Sequence, residues 1–273
     1  MNRNILTVPI HKIARGSDVP AQGSLEQDLV AVEEPLQIRV DDRDFAITMR
    51  TPGQDRELTA GFLFTEGVIQ SAEQIANIAA DDKGTVTVQL AEGVKVNIAD
   101  RNFYVTSSCG VCGKASIDGL RNAGCPTLPR GVPQMDCAVI PELPGKLRAA
   151  QPVFSHTGGL HAAGLFDTAG NLIAVREDVG RHNAVDKLIG AALLDGQIPL
   201  RNFVLMLSGR VSFELVQKAL IAGIPIVAAV GAPSSLAVET ALHFGLTLIG
   251  FVRGQTYNVY SGHDHLFAPT SNR

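Results

Sequence analysis

Four cysteines occur in this sequence, and two of them stand close enough together to perform chemistry. Cys109 and Cys112 lie in the run Cys109-Gly110-Val111-Cys112-Gly113. A thiol becomes a nucleophile only as the thiolate, which an exposed loop, a nearby helix start or a partner thiol favours. The flanking glycines leave backbone N–H groups available to an anion, and a second thiol can accept or resolve what the first carries. The motif therefore indicates redox or sulfur-transfer chemistry.

Two alternatives stay open for these cysteines. The first is a zinc site completed by Cys125 and Cys137, because gaps of two, twelve and eleven residues allow one, although a zinc ribbon usually has two close pairs. The second is inert thiols, which we expect of Cys125 and Cys137 themselves. A thioredoxin site is disfavoured, since Val111 replaces the proline of Cys-Gly-Pro-Cys. No permanently bound metal is predicted.

Glycine together with arginine or serine recurs after four successive predicted strands in the second half of the chain. These segments, called the rim below, are residues 177–184, 208–210, 231–235 and 251–256. If the strands are parallel, all four segments meet at one edge of the sheet, where α/β proteins bind ligands. Arg181, Arg210 and Arg253 can each grip a phosphate with a forked guanidinium. The rim therefore predicts a phosphate-bearing ligand. Two alternatives stay open for His156 and His161. Either one of them lines this pocket, or both have structural roles.

The elements that must position these residues predict two domains of an α/β protein. In a smaller α+β domain at residues 1–135, residues 1–26 look like a polar, loosely ordered arm. Strands are expected over residues 29–32, 36–40, 45–49, 85–90, 94–98 and 102–107, and helices over 56–65, 72–79 and 114–123. Strands and helices alternate from residue 136 to residue 273, which predicts a three-layer domain with a largely parallel sheet.

The predicted elements of this second domain begin with a helix near residues 140–150 and a hairpin of residues 162–167 and 171–176. Helices follow over residues 183–194, 213–222 and 235–244, and strands over 203–207, 224–230, 247–251 and 257–260.

Composition and missing motifs exclude several classes of function. The 273 residues carry a net charge of -4, which argues against bulk electrostatic binding to nucleic acid or anionic lipid. The apolar runs fall far short of the ~20 residues of a membrane-spanning helix, and no signal peptide pattern opens the chain, so a cytoplasmic location is expected. No Walker loop, dinucleotide fingerprint or serine nucleophile elbow occurs. Neither an NTPase nor a dinucleotide-dependent dehydrogenase is supported.

The motifs in this order resemble the FdhD/NarQ family of formate dehydrogenase accessory sulfurtransferases. The matching runs are Cys109-Gly110-Val111-Cys112-Gly113, Glu177-Asp178-Val179-Gly180-Arg181-His182-Asn183-Ala184, Ser208-Gly209-Arg210 and Gly231-Ala232-Pro233-Ser234-Ser235. The resemblance implies that sulfur passes from a cysteine desulfurase to a molybdenum or tungsten bis-guanine-dinucleotide cofactor before that cofactor enters formate dehydrogenase. In that picture Cys109 holds the persulfide and Cys112 assists its transfer. A cofactor-binding chaperone without sulfur transfer is the alternative.

The resemblance also implies which residues contact the cofactor and which partners bind. The tail segment that matches the family's cofactor contact is residues 251–256. Together with residues of the other three rim segments, it gives the expected cofactor contacts, which are Phe251, Val252, Arg253, Gly254, Gln255, Thr256, Arg181, His182, Ser208, Gly209, Arg210, Gly231 and Ser234. Cysteine desulfurase and formate dehydrogenase are the expected partners. A homodimer is expected, because a carrier must engage large partners and a cofactor with two pterin-guanine arms.

The second half is also similar to the cytidine deaminase fold. Deaminases need a His/Cys/Cys zinc set and a catalytic Glu. Here His182 is followed by Asn183-Ala184 instead of Ala-Glu, and the later helix start, Gly209-Arg210-Val211-Ser212, holds no cysteine. Deamination is therefore excluded on chemistry.

Overall fold

The computed structural model describes residues 4–14, 22–94, 103–105, 117, 120 and 125–267. Cys109 and Cys112 lie outside the described residues, as do nearly all of the strand predicted at 94–98 and of the helix predicted at 114–123. The helices are α1 (Asp55–Thr65), α2 (Leu143–Ala149), α3 (Pro152–Thr157), α4 (Arg181–Leu194), α5 (Phe213–Ile221) and α6 (Ser235–Phe244).

The strands belong to a mixed α/β protein whose largest sheets have five and six strands. The strands are β1 (Ile5–Ala14), β2 (Gln22–Ala31), β3 (Glu34–Val40), β4 (Arg43–Arg50), β5 (Ile75–Ala80), β6 (Thr85–Leu90), β7 (Phe103–Val105), β8 (Met135–Asp136), β9 (His161–Asp167), β10 (Leu172–Asp178), β11 (Phe203–Leu207), β12 (Ile226–Ala229), β13 (Thr247–Arg253), β14 (Thr256–Ser261) and β15 (Leu266–Phe267). The division into domains at residues 135 and 136 stays a prediction.

Strands β1 and β2 form an antiparallel two-stranded sheet. Ile5 pairs with Ala31, and the register continues without a shift to the pair of Ala14 and Gln22. The prediction of a loosely ordered arm over residues 1–26 is therefore wrong where that segment is described. Its apolar residues did not signal a strand because they do not face a single core: Ile13 and Leu25 are 71% and 70% exposed. Cross-strand backbone hydrogen bonds define these strands more than burial does.

The five-stranded sheet has the order β5-β6-β3-β4-β7, with the β3–β4 hairpin near its centre. The helix predicted over residues 72–79 is wrong. Only Ala72–Gln74 form a 3-10 turn, and Ile75–Ala80 is strand β5, which pairs antiparallel with β6. The alanines of this segment favour a helix, but pairing with β6 and burial of Ile78 outweigh that weak propensity.

The six-stranded sheet has the order β10-β9-β11-β12-β13-β14. Its centre is parallel, since β11 pairs parallel with β12 and β12 with β13. β9 runs antiparallel to both β10 and β11, so β10 points the same way as β11, β12 and β13. β14 adds an antiparallel edge strand. The predicted hairpin, the parallel strands and the edge strand are confirmed.

Helices cover both faces of this sheet. Helices α4, α5 and α6 pack on one face against Leu165, Leu205 and Val227. On the other face α2 and the segment before it pack against Phe166 and Met206. The first of these cores continues into the five-stranded sheet, because Leu36 and Ile38 of β3 belong to the same apolar cluster. The layers helix, sheet and helix therefore match the prediction for the second half.

Helices α1 and α4 touch at two glycines. A methyl group on Gly61 would overlap the backbone carbonyl oxygen of Asp186, and one on Gly190 would overlap that of Glu57. The two backbones approach this closely only because neither position carries a side chain. The contact ties α1, which packs on the five-stranded sheet, to the helix that begins at the rim.

Candidate functional site

The four rim segments meet at one edge of the six-stranded sheet. Strands β10, β11, β12 and β13 point the same way, so their carboxyl ends share this edge. The first residue of antiparallel β9, His161, lies at the same edge opposite Asp178. The predicted convergence is confirmed, and it follows from strand direction alone.

Backbone hydrogen bonds join neighbouring rim segments. Gly231 N donates to Gly209 O at 3.1 Å, and Phe251 N donates to Gly231 O at 3.1 Å. A Cβ on Gly231 would lie 2.7 Å from Gly209 O and 2.8 Å from Arg210 N. Glycine is therefore required at position 231 for the loops after β11 and β12 to approach each other. The rim segments after β11, β12 and β13 are therefore connected through their backbones.

The three rim arginines have different surroundings. Arg210 is exposed. Arg253 donates from Nε to Val230 O at 3.3 Å, and its guanidinium carbon lies 5.6 Å from the centre of the Phe251 ring. Nε of Arg181 is buried and has no hydrogen-bond partner within the described part of the chain. A buried donor without an acceptor is costly, and an anionic ligand would supply the acceptor.

The segment at residues 251–256 differs from the predicted loop after a strand. β13 continues through Arg253, Gly254 and Gln255 form the tight turn, and Thr256 begins β14. The strand was predicted to end at residue 251, but pairing with β14 extends it. Phe251 has a φ of 54°, which is rare for a residue with a side chain, and it is 37% exposed. Val252 is buried, so its side chain offers packing and not a ligand contact.

The two rim serines have structural partners. Ser208 Oγ accepts a hydrogen bond from Ala162 N at 2.8 Å, which joins the end of β11 to β9. Ser234 is the N-cap of α6, and its Oγ accepts from Ala237 N at 3.3 Å. Each hydroxyl keeps its own proton as a donor. Both serines therefore have a structural role that the sequence prediction did not include.

A polar cluster beside the rim links the starts of α4 and α5. His182 Nε2 lies 3.1 Å from Ser212 Oγ and 3.9 Å from Glu214 Oε2. Burial favours the neutral form of Glu214, but the hydrogen bond from Ser212 and the charges of His182 and Arg181 lower its pKa below the ordinary value. Ser212 and Glu214 were absent from the predicted site. Their signal in the sequence was a serine just before a helix, which is common at any N-cap.

His161, the first residue of β9, lies at the same edge of the sheet as the rim segments. A Cβ on Gly209 would lie 3.1 Å from its Nδ1, so the ring packs against that glycine. Burial and the Arg181 guanidinium lower the pKa of His161, against the opposing charge of Asp178. The sequence left open whether His156 or His161 lines the pocket. The structure places His161 at the rim, while His156 is exposed on α3 and bonds Pro152 O at 2.7 Å.

A buried ion pair supports the rim from below. Lys187 Nζ lies 2.7 Å from Asp178 Oδ2, and both side chains are 0% exposed. Asp178 also accepts hydrogen bonds from Thr51 N and Gly180 N, and Lys187 donates to Thr51 O. Such a pair is tolerated in the interior because its remaining donors and acceptors are satisfied. It fixes the end of β10 and the start of α4 to the chain after β4.

The described cysteines are not part of the rim. Burial raises the pKa of Cys125 to about 11, so this thiol stays protonated near neutral pH. Cys137 is half-buried, and its carbonyl oxygen accepts from Tyr257 OH at 3.1 Å. No group of three His, Cys, Asp or Glu side chains that could hold a metal ion is found in the described ranges. The zinc alternative also needs Cys109 and Cys112, which lie outside those ranges.

A large cavity lies away from the rim. This groove, about 1050 Å³ in volume, is lined by the start of α1 together with Arg50, Asp81 and Arg176. Two of its arginines are paired: Arg50 Nε lies 2.9 Å from Asp55 Oδ1, and Arg176 binds both carboxylate oxygens of Glu57. No helix in the described ranges is long and apolar enough to cross a membrane.

A convergence of glycine loops and arginines at the carboxyl ends of parallel strands is typical of α/β proteins that bind anionic ligands. The model of the FdhD/NarQ family matches residues 31–267. The chain belongs to this family.

Relatives and a solved structure agree with this assignment. A sulfur carrier protein FdhD from Streptomyces avermitilis is 52% identical over 251 residues, which cover 88% of this chain and 89% of that protein. The sulfur carrier protein FdhD of Streptomyces coelicolor is 51% identical over 255 residues, with 89% and 90% covered. A crystal structure of a candidate formate dehydrogenase accessory protein from Desulfotalea psychrophila aligns with a TM-score of 0.76 at 27% identity, covering 96% of this chain and 100% of that one.

Proposed function

We propose that this protein receives sulfur as a persulfide on Cys109 from a cysteine desulfurase and delivers it to a molybdenum bis-guanine-dinucleotide cofactor. The acceptor cofactor is held at the rim before it enters formate dehydrogenase. The reaction is that of a sulfurtransferase, in the cytoplasm, where free thiols persist. A homodimer and a cytidine deaminase-like second half belong to the same proposal. Support comes from relatives named sulfur carrier protein FdhD, whose sequences match this chain over most of their length.

The observation that carries the cofactor part of this proposal is the buried Nε of Arg181 at the rim, which has no hydrogen-bond partner among the described residues. With Arg210 and Arg253 it would bind the phosphates of a guanine dinucleotide, whose charge matches forked guanidinium groups. Gly231 lets the loops after β11 and β12 approach each other, and Gly209 leaves room for the His161 ring beside them. The exposed ring of Phe251 and the turn at Gly254 and Gln255 would contact a base. The acceptor thus fits the donors that the rim offers.

The sulfur chemistry needs two exchange steps. The Cys109 thiolate attacks the outer sulfur of the desulfurase persulfide, a new S–S bond forms, and the desulfurase cysteine leaves as a thiolate. The Cys112 thiolate then attacks the inner sulfur of the Cys109 persulfide. The outer sulfur departs as sulfide with the bonding electron pair and passes to the acceptor, while Cys109 and Cys112 become a disulfide. A dithiol reductant restores both thiols before the next cycle.

Thiol-trapping mass spectrometry tests the carrier step. The full-length protein is incubated with a cysteine desulfurase and cysteine, and the digest is searched for an adduct of about 32 Da, the mass of one sulfur atom. We expect the adduct on Cys109 or Cys112 and none on Cys125, whose raised pKa keeps it unreactive. Cys125→Ala is the matched control and should load as the wild type does. Unmodified Cys109 and Cys112, under conditions that load a known acceptor, would overturn the carrier proposal.

A Cys109→Ala variant separates a carrier from a pure cofactor chaperone. A carrier without its persulfide thiol should no longer activate formate dehydrogenase but should still bind guanosine diphosphate, which represents one arm of the cofactor. A chaperone should keep both properties. Retained activation by this variant would therefore favour the chaperone.

A further inference from the structure

His161 occupies a position at the rim where a ligand can reach it. The residue is first in β9 and stands opposite Asp178 in the ladder with β10. Residues directly opposite in a ladder project from the same face of the sheet, so the ring lies on the face that α4 covers. It packs against Gly209, where any side chain would crowd it. Its ring has no hydrogen bond to any of the described residues, and it is half-buried.

Two charged groups act directly on the His161 ring, and Glu214 and Arg210 lie on neighbouring segments of this edge. Arg181 at the start of α4 repels a proton on the ring, and Asp178 at the end of β10 attracts one. Asp178 is already engaged by Lys187 at 2.7 Å, which weakens its effect. The charges of Arg181 and His182 also attract the carboxylate of Glu214, at the start of α5. On the loop after β11, Arg210 is exposed to solvent. Arginine charge therefore dominates around the ring while the rim holds no anion.

We propose that His161 is a direct ligand of the phosphate group bound at Arg181, and that it takes up a proton from solvent as this group binds. The inference rests on the proposed function, because it assumes a phosphate-bearing ligand at the rim. The proton adds to the free ring nitrogen, and both ring nitrogens are then donors. The imidazolium and the guanidinium share the phosphate oxygens. Nothing is oxidised or reduced.

The direction of this coupling follows from charge. An anion beside Arg181 cancels the guanidinium's repulsion and adds its own attraction, so the protonated ring is favoured in the complex. Because proton uptake and ligand binding are linked, a ligand whose binding adds a proton to the protein binds more tightly as the pH falls. Protonation of the ligand's own phosphate acts in the opposite direction, and a variant without the imidazole isolates the contribution of His161.

Isothermal titration calorimetry with guanosine diphosphate, in buffers of different ionisation enthalpy near neutral pH, measures the protons taken up. The full-length wild type is compared with His161→Gln and with the matched control His156→Gln, whose histidine is exposed on α3. We expect proton uptake by the wild type and by His156→Gln, and less uptake by His161→Gln. From about pH 8 to about pH 6 the wild-type affinity should rise by roughly threefold to tenfold more than that of His161→Gln.

The outcomes separate this inference from the proposed function. Binding by both proteins with equal proton counts would overturn the role of His161 and leave the rim as the cofactor site. Absence of guanosine diphosphate binding by the wild type would overturn the rim itself, and the inference with it. If His161→Gln does not fold, the imidazole resonances of the wild type decide. A His161 ring that stays neutral in the complex would contradict the proposal.

Discussion

Arg181 at the rim and two arginines of the groove differ in whether the protein supplies their hydrogen-bond partners. In the groove, Arg50 lies against Asp55 and Glu34, and Arg176 binds Glu57 through two nitrogens. At the rim, Arg181 has a buried Nε without a partner in the described ranges. The groove is a space of about 1050 Å³, yet these two arginines are already paired with the protein's own carboxylates.

Under the proposed function, the ligand binds where an arginine keeps a buried donor without an acceptor among the described residues, and cavity size does not decide the site. A cation that the fold has already paired is part of the architecture, and a ligand would have to displace its partner. The buried Nε of Arg181 has no acceptor among the described residues, so no hydrogen bond compensates the cost of removing this donor from water. We therefore expect substitutions in the groove, and of the ion pair under the rim, to change stability, and substitutions of the rim arginines to change binding. The experiments below test that division.

The largest effect is expected from Lys187→Met, which leaves Asp178 charged and buried under the rim. Removing one partner of a buried ion pair costs about 3–5 kcal/mol. The matched groove variant, Arg176→Met, breaks a pair whose side chains are 23% and 26% exposed, so we expect a loss of about 1 kcal/mol. Urea unfolding followed by circular dichroism compares the two. Equal losses would show that the support of the rim is no more critical than that of the groove.

A smaller effect, on binding alone, is expected from Arg181→Gln. A hydrogen bond to a charged group contributes about 1.5–3 kcal/mol, so the Kd for guanosine diphosphate should rise by roughly tenfold to a hundredfold. The free energy of unfolding should not fall, because the variant removes a buried donor that has no acceptor among the described residues. Arg176→Gln should leave the Kd unchanged. If the groove variant loses affinity and the rim variant does not, the two regions have been assigned the wrong roles.

The smallest effect is a pH dependence of stability that arises at the rim. The pKa of His161 is lowered from the ordinary value of 6.5, so below that value the unfolded chain binds a proton more readily than the folded protein. His161 therefore makes stability decline as the pH falls from 6.5 through its folded pKa. His161→Gln should show a weaker decline in urea midpoint over this range, whereas Arg176→Gln should follow the wild type. Identical profiles for His161→Gln and the wild type would contradict the assignment.

Periodicity and topology made the second half predictable. The alternating strands and helices there are long and strongly patterned, and the convergence of the rim needs only that β10 to β13 point the same way. The arginines and glycines of the rim were therefore found from the sequence. The hairpin that places His161 at the same edge was also predicted, but which histidine lies there was not.

Other features depend on contacts that no local pattern shows. Segment 72–79 contains helix-favouring alanines, and only its partner β6 makes it a strand. Thr51 supports the rim by donating to Asp178, 127 positions further along the chain. Only the end of β2, within the strand predicted at residues 29–32, was anticipated, because Leu6, Ile13 and Leu25 in the rest of β1 and β2 are exposed. Ser212 and Glu214 differ from any other helix start only by meeting His182, which is a fact of tertiary structure.

The glycine contact between α1 and α4 also limits how this sequence can evolve. A single substitution at Gly61 or Gly190 meets backbone, which does not rotate away as a side chain would, so the helices would have to separate. Separation would move the start of α4, and with it Arg181, relative to the chain after β4. A substitution at either glycine would therefore change the geometry of the rim, although neither glycine belongs to it. Selection for the proposed ligand binding would preserve both glycines.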